Sequence, residues 1–253
     1  MTGCGVIGLV GSGNNGGDTL LALTRLSQLG VRTTAFLVKD RRDDPLIENY
    51  LIHGGSLVDI SIDESNDRLA AALIPGVVIL DGVLGTGLKL PLRGALLEVM
   101  GKIKHLAIKC PDAFTVAVDC PSGVDCDTGE VSDATLSADV TLCMAAIKQG
   151  LLKHPARSFA GYFNWIDIGI KDLSNHISEG LPEMVDRDFV SAHLPPRPDD
   201  GHKGTFGTCM VIAGSVPYTG AAFLTGKGAY RSGSGLVHLG AIREVRNSLA
   251  GKL

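Results

Sequence analysis

Short apolar runs punctuate the first two thirds of the chain, separated by stretches long enough to be helices. Residues 6–10, 33–38, 56–60, 77–80, 116–118, 140–145 and 162–168 carry the apolar and β-branched content of strands. Helices are expected over 19–29, with Ala22, Leu26 and Leu29 on one face and Gly30 closing it. Further helical patterns cover 45–53, 66–73 and the stretch around 94–104. Strands alternating with helix-length segments predict βαβ units, and so an α/β fold with a mostly parallel sheet covered on both faces.

The pattern breaks at 194–201, where Pro195, Pro196 and Pro198 exclude a continuing helix or a central strand. A boundary is expected there. Beyond it lies a Gly-rich stretch with one clear strand, 209–213. Some fifty residues bury little core alone, so the expectation is the opening of a second domain whose remainder is absent.

Composition narrows the function. The 253 residues are 45% hydrophobic and 20% charged, an ordinary globular balance. A net charge of −4 and 5% aromatic residues give no footprint for nucleic acid. No apolar run reaches a membrane span and no secretory leader pattern opens the chain. Six cysteines without C-x-x-C spacing suggest reduced thiols and a cytoplasmic location. The seven histidines show no metal-ligand spacing.

Candidate chemistry sits in three loops, each directly after an expected strand. The first, Gly11-Ser12-Gly13-Asn14-Asn15-Gly16-Gly17-Asp18, contains the letters of the dinucleotide fingerprint, G-x-G-x-x-G. With Asp40 as a ribose-binding carboxylate, that pattern also fits a hydride-transferring dehydrogenase; a plain Gly-Asn turn is the other reading. No Gly-Lys-Ser/Thr follows, which excludes a P-loop. The second loop runs from Asp81 to Gly85-Thr86-Gly87, where Asp81 is either a cation ligand or a turn cap. The third is Asp119-Cys120-Pro121-Ser122-Gly123. There Asp119, partly shielded from water at a strand end, suits general acid–base work; Asp125 and Asp127 read as solvated loop carboxylates. Asn15, Asp81 and Ser122 offer only oxygen, the ligand set of hard cations. Parallel neighbouring strands would gather all three loops at one sheet edge.

Taken together these segments, with the continuing Leu88-Lys89-Leu90-Pro91 and Asp127-Thr128-Gly129, resemble the NAD(P)H-hydrate epimerase family, the YjeF N-terminal domain family. The resemblance covers roughly residues 5–172. It implies a Rossmann-like αβα sandwich that interconverts the R and S forms of hydrated NADH and NADPH (NADHX and NADPHX). It implies potassium, one per subunit, on Asn15, Asp81 and Ser122. It implies substrate contacts from Asn14, Asn15, Gly16, Gly17, Asp18, Gly85, Thr86, Gly87, Leu88, Lys89, Leu90, Pro91 and Asp119, with Asp119 catalytic.

The later segments His202-Lys203-Gly204, Val211-Ile212-Ala213-Gly214-Ser215 and Tyr218-Thr219-Gly220-Ala221-Ala222 resemble the opening of the ribokinase-like, ADP-dependent NAD(P)H-hydrate dehydratase. Arg231-Ser232-Gly233-Ser234-Gly235-Leu236-Val237 extends that match, and Ala221 would contact substrate there. The expected organisation is an epimerase domain over 1–173, a linker over 174–201 and a partial dehydratase domain over 202–253. The family's helical segment before the first strand is missing. So are the dehydratase's Gly-rich nucleotide loop and catalytic Asp, so ADP would serve only a full-length relative, and the dehydratase part is expected to be inactive. A homo-oligomer is expected at full length. A non-catalytic nucleotide-binding or scaffold module is the remaining alternative.

Overall fold

The computed structural model describes residues 5–41, 43–60, 67–170 and 184–252. The chain divides into two compact units, 1–176 and 177–253. In the first, seven strands form one sheet: β1 (Val6–Val10), β2 (Thr33–Leu37), β3 (Ser56–Asp59), β4 (Val78–Gly82), β5 (Phe114–Val118), β6 (Val140–Met144) and β7 (Tyr162–Ile166). They lie in the order β3-β2-β1-β4-β5-β6-β7, and every pair is parallel. This is the α/β sandwich the alternating pattern predicts.

Four helices cover the sheet: α1 (Asn14–Gln28), α2 (Pro45–Ile52), α3 (Asp67–Ala72) and α4 (Gly94–Ile108). Because side chains alternate across a strand, β1 feeds two cores. Ile7 and Leu9 pack with Leu69 of α3 and Met100 and Ile103 of α4. On the other face Val10 joins Leu20 and Leu23 of α1 and Ile47 and Tyr50 of α2. Gly8 lies flush against α1, since a Cβ there would come within 2.5 Å of Leu23 Cδ1.

Several expectations need correction. Helix α1 begins at Asn14, five residues before the expected start, because the glycines pack as its first turns instead of forming an open loop. Its buried face is Thr19, Leu20, Leu23 and Thr24; Ala22 and Leu29 are exposed. That face sets Leu20 and Leu23 beside Gly16, Gly17, Thr19 and Thr24, small and polar positions that an apolar count overlooks. The last strand of the sheet stops at Ile166, two residues short. Of the expected helix 66–73, residue 66 lies outside the described residues. Of the expected linker 174–201, residues 174–183 also lie outside them, and a helix, α5 (Arg187–His193), forms within the remainder. Asp186 caps it by accepting from the Phe189 N–H at 2.7 Å.

The second unit holds a parallel pair, β8 (Thr208–Ile212) and β9 (Leu236–Gly240), with α6 (Thr219–Arg231) and α7 (Arg243–Leu249). Its core is small: Ala222, Val245 and Leu249. The described cysteines are free. Among the described residues no helix is long and apolar enough to cross a membrane.

Candidate active site

Strand order reverses between β1 and β4, because the chain first builds outward through β2 and β3 and then returns to the other side of β1. From this switch point α1 departs over one face and α4 over the other. The loops after β1 and β4 therefore diverge and open a crevice at the carboxyl edge. A cleft of about 670 Å³ lies there. It is lined by Gly11–Asn15, Asp18, Lys39, Val83–Leu88, Leu96, Asp119, Met144, Lys148 and Ile168.

Close backbone packing forms the cleft's first wall. A Cβ on Gly11 would stand 1.9 Å from the Val83 carbonyl oxygen, and one on Gly16 would stand 2.1 Å from the Gly11 carbonyl oxygen. Glycine at these two positions lets the start of α1 press against the loop after β4. Arg41, largely buried, braces the same turn by donating from Nη1 to the Gly11 and Gly13 carbonyls at 2.8 and 3.2 Å. Asp44 holds that guanidinium and also caps α2 through the Leu46 N–H. The first turn of α1 has Gly13 at its cap with no side-chain cap, and Asn14 and Asn15 of that turn line the cleft together with Asp18; free N–H groups at a helix start suit an anion.

Beneath the cleft, side chains from β4, from the first turn of α1 and from the loop after β5 meet around the Leu84 backbone. Asp81, at the end of β4, is 2% exposed. Its carboxylate accepts from Ser122 Oγ at 2.5 Å and from the Ser122 N–H at 2.8 Å. Ser122 Oγ in turn accepts from the Leu84 N–H at 2.9 Å, and Asn15 Nδ2 donates to the Leu84 carbonyl at 2.8 Å. Burial pushes the Asp81 carboxyl above the usual range, against the opposing pull of these hydrogen bonds. Asn15 Oδ1 is buried without a hydrogen-bond partner among the described residues. The orphaned Asn15 amide oxygen, in one network with the desolvated Asp81 carboxylate and the Ser122 hydroxyl, fits a hard cation, since all three offer oxygen as the ligand atom.

Asp119 follows β5 with φ of +68°, a left-handed conformation that Asp tolerates better than most residues. Its N–H still donates to the Leu142 carbonyl at 3.0 Å, so the turn is tied to β6. Oδ1 accepts from the Met144 N–H at 3.0 Å and from the Lys148 ammonium. Asp18 faces it from α1: burial first, and then the charge of Asp119, raise the Asp18 pKa.

Of the expected substrate contacts, Asn14, Asn15, Asp18, Gly85, Thr86, Gly87, Leu88 and Asp119 share this cleft. Gly16 and Gly17 are buried within α1 and act through packing. Lys89 is exposed and contributes nothing to the lining. Leu90 and Pro91 line a different depression of about 550 Å³, with Glu130 and Pro155. Ala221 is exposed on α6 of the second unit. Asp125 binds its own turn through the Asp127 and Thr128 N–H groups, as a solvated loop carboxylate does. Asp40, the ribose-binding carboxylate of the dehydrogenase reading, does not line the cleft, which takes Lys39 from that stretch.

Sequence reasoning missed Lys148, Lys39, Arg41, Met144, Leu96 and Ile168. The rule that found the first three loops, a polar residue just beyond a strand, also applies after 140–145 and would have flagged Lys148.

The family model described as YjeF-related protein N-terminus matches residues 2–150, and the model described as NAD(P)H-hydrate dehydratase matches 209–253. An NAD(P)H-hydrate epimerase of Clavibacter sepedonicus is 39% identical over 181 residues, covering 67% of this chain and 74% of that protein. A bifunctional NAD(P)H-hydrate repair enzyme of Thermofilum pendens is 33% identical over 242 residues, covering 93% of this chain and 44% of that protein. The chain thus spans less than half the length of the curated bifunctional relatives it matches. The crystal structure of a yeast protein aligns over 79% of this chain and 75% of its own with a TM-score of 0.50 at 20% identity, a likeness of fold.

Proposed function

Because the chain belongs to the YjeF-related N-terminal family, we propose that its first unit interconverts the R and S forms of hydrated NADH and NADPH. The substrate bears a hydroxyl on the carbon beside the ring nitrogen. Protonation of that hydroxyl lets the C–O bond break as the nitrogen lone pair forms C=N, and water leaves. Water then adds to either face of the planar iminium and gives up a proton. A proton-handling group beside the bound ring is the one requirement.

The observation that carries the reading is the convergence of Asp119, the start of α1 and the loop 85–88 on one cleft. The N–H groups of α1 suit the pyrophosphate, Leu96, Met144 and Ile168 offer apolar surface, and Asp119 handles the proton. General acid–base catalysis contributes roughly 10²–10⁴-fold. Asn15, Asp81 and Ser122 would hold potassium, which would offset phosphate charge and order the three loops. A cytoplasmic location and self-association belong to the same reading. No dehydration step is assigned to the second unit.

Asp119→Asn should lower R-to-S conversion at least a hundredfold, the low end of that general acid–base range, with the melting temperature unchanged. Conversion is read by chiral separation with an intact dehydratase consuming the S form. Near-normal turnover in that variant would remove Asp119 from the chemistry.

A further inference from the structure

Lys148 stands at the same proton-transfer position as Asp119, from the neighbouring strand's loop. An ammonium has three N–H donors. One goes to Asp119 Oδ1 and a second to the Met144 carbonyl at 3.0 Å, which leaves one for the cleft that Lys148 lines. The pair is partly shielded: the side chains of Lys148 and Asp119 are 18% and 17% exposed.

The loop bearing Lys148 is held in place. Ala145 adopts φ of +63°, its N–H donates to the Ile166 carbonyl at 3.0 Å, and its carbonyl accepts from Trp165 Nε1 at 2.5 Å. Gly150, two residues on, donates to the Cys126 carbonyl at 2.7 Å. Two left-handed non-glycine residues thus serve one ion pair in the cleft: Asp119 is its carboxylate, and Ala145 lies in the loop that carries its lysine. Strained backbone of this kind persists where the surroundings over-determine it, and it gathers at working sites.

We propose that Lys148 is a second catalytic residue, the donor that protonates the departing hydroxyl. This rests on the epimerase reading above. At neutral pH an ammonium carries a transferable proton, whereas an ordinary carboxylate is ionised and has none to give. The Lys148 ammonium passes a proton to the hydroxyl oxygen, the C–O bond breaks, the ring nitrogen's lone pair closes C=N, and water departs. When water adds to the other face, its proton goes to the Asp119 carboxylate and through their hydrogen bond back to the Lys148 amine. Atoms and charge are restored, and no co-reactant is consumed.

The test compares Lys148→Arg and Lys148→Ala in the full chain. Arginine can hold Asp119 yet does not release its proton. Lys148→Arg should keep KM within about threefold while kcat falls a hundredfold or more. Methylamine should restore part of the Lys148→Ala rate, beyond an equal ionic strength of potassium chloride. Should the alanine variant not fold, Lys148→Met, which keeps the apolar stem, takes its place in the rescue. The proposal is overturned if Lys148→Arg keeps more than a tenth of kcat, or if methylamine rescues no better than salt. No conversion by the unsubstituted chain above the enzyme-free rate would sink the epimerase reading, and this assignment with it.

Discussion

Replacing Asp81 by Asn asks whether the buried carboxylate exists to hold a cation. Asp81 is 2% exposed, and burial raises its pKa from the ordinary value of 3.8. A group raised in the folded state contributes its stability below the unfolded pKa and loses it as the pH rises through the folded one. At neutral pH, therefore, the bare charge is a cost. Asparagine has the same shape, and the network accommodates it at the loss of the long contact from the Val83 N–H at 3.5 Å. Its Oδ1 would accept the Ser122 N–H, its Nδ2 would donate to Ser122 Oγ, and the hydroxyl would turn to the Leu84 carbonyl, 3.4 Å away.

Desolvating one carboxylate costs several kcal/mol; the two short hydrogen bonds from Ser122 return about 1.5–3 kcal/mol each, and the long one from the Val83 N–H, at 3.5 Å, adds little. A net penalty of about 1–2 kcal/mol makes Asp81→Asn melt roughly 2–8 °C higher than the unsubstituted chain in potassium-free choline buffer at pH 7. The difference should shrink as the pH falls toward 4. Potassium at about a hundred times its Kd would add ~2.7 kcal/mol to the unsubstituted chain and nothing to the variant. Thermal melts in choline and potassium chloride at matched ionic strength measure both effects. A variant that melts lower in choline and gains as much from potassium would refute the reasoning.

Two further outcomes follow from the cleft's construction. Gly11→Ala puts a Cβ 1.9 Å from the Val83 carbonyl oxygen, so the loops after β1 and β4 must part. A loss of about 1–3 kcal/mol and a higher KM are expected, and an unchanged melting curve would show the contact to be slack. Lys39 lines the cleft just past β2, where dinucleotide folds place the adenosine ribose. Lys39→Ala should raise KM for hydrated NADPH about tenfold, equivalent to ~1.4 kcal/mol, and leave the NADH form nearly unchanged; equal effects on both would count against a 2′-phosphate contact.

The sequence alone determined the alternation of strands and helices, and with it the parallel sheet. It also located three loops with usable side chains. Both signals are local: apolar periodicity and turn chemistry act over a few residues, so they survive without tertiary context. It misjudged the start of α1 because a Gly-rich run reads as loop until something packs on it. Here the Val83 carbonyl and Arg41 occupy the space side chains would need.

What only the tertiary structure decided is which residues share a cavity. The register of β4 between β1 and β5 sets Asp81 opposite Leu9 and Ala117, so the loops after these strands meet above it. That pairing joins Asn15, Asp81 and Ser122 across more than a hundred residues of chain. The β5–β6 pairing likewise carries Lys148 to Asp119, while Leu90 and Pro91, close in sequence to the cleft, turn away to another depression. Proximity of that kind follows from strand order, which no local pattern encodes.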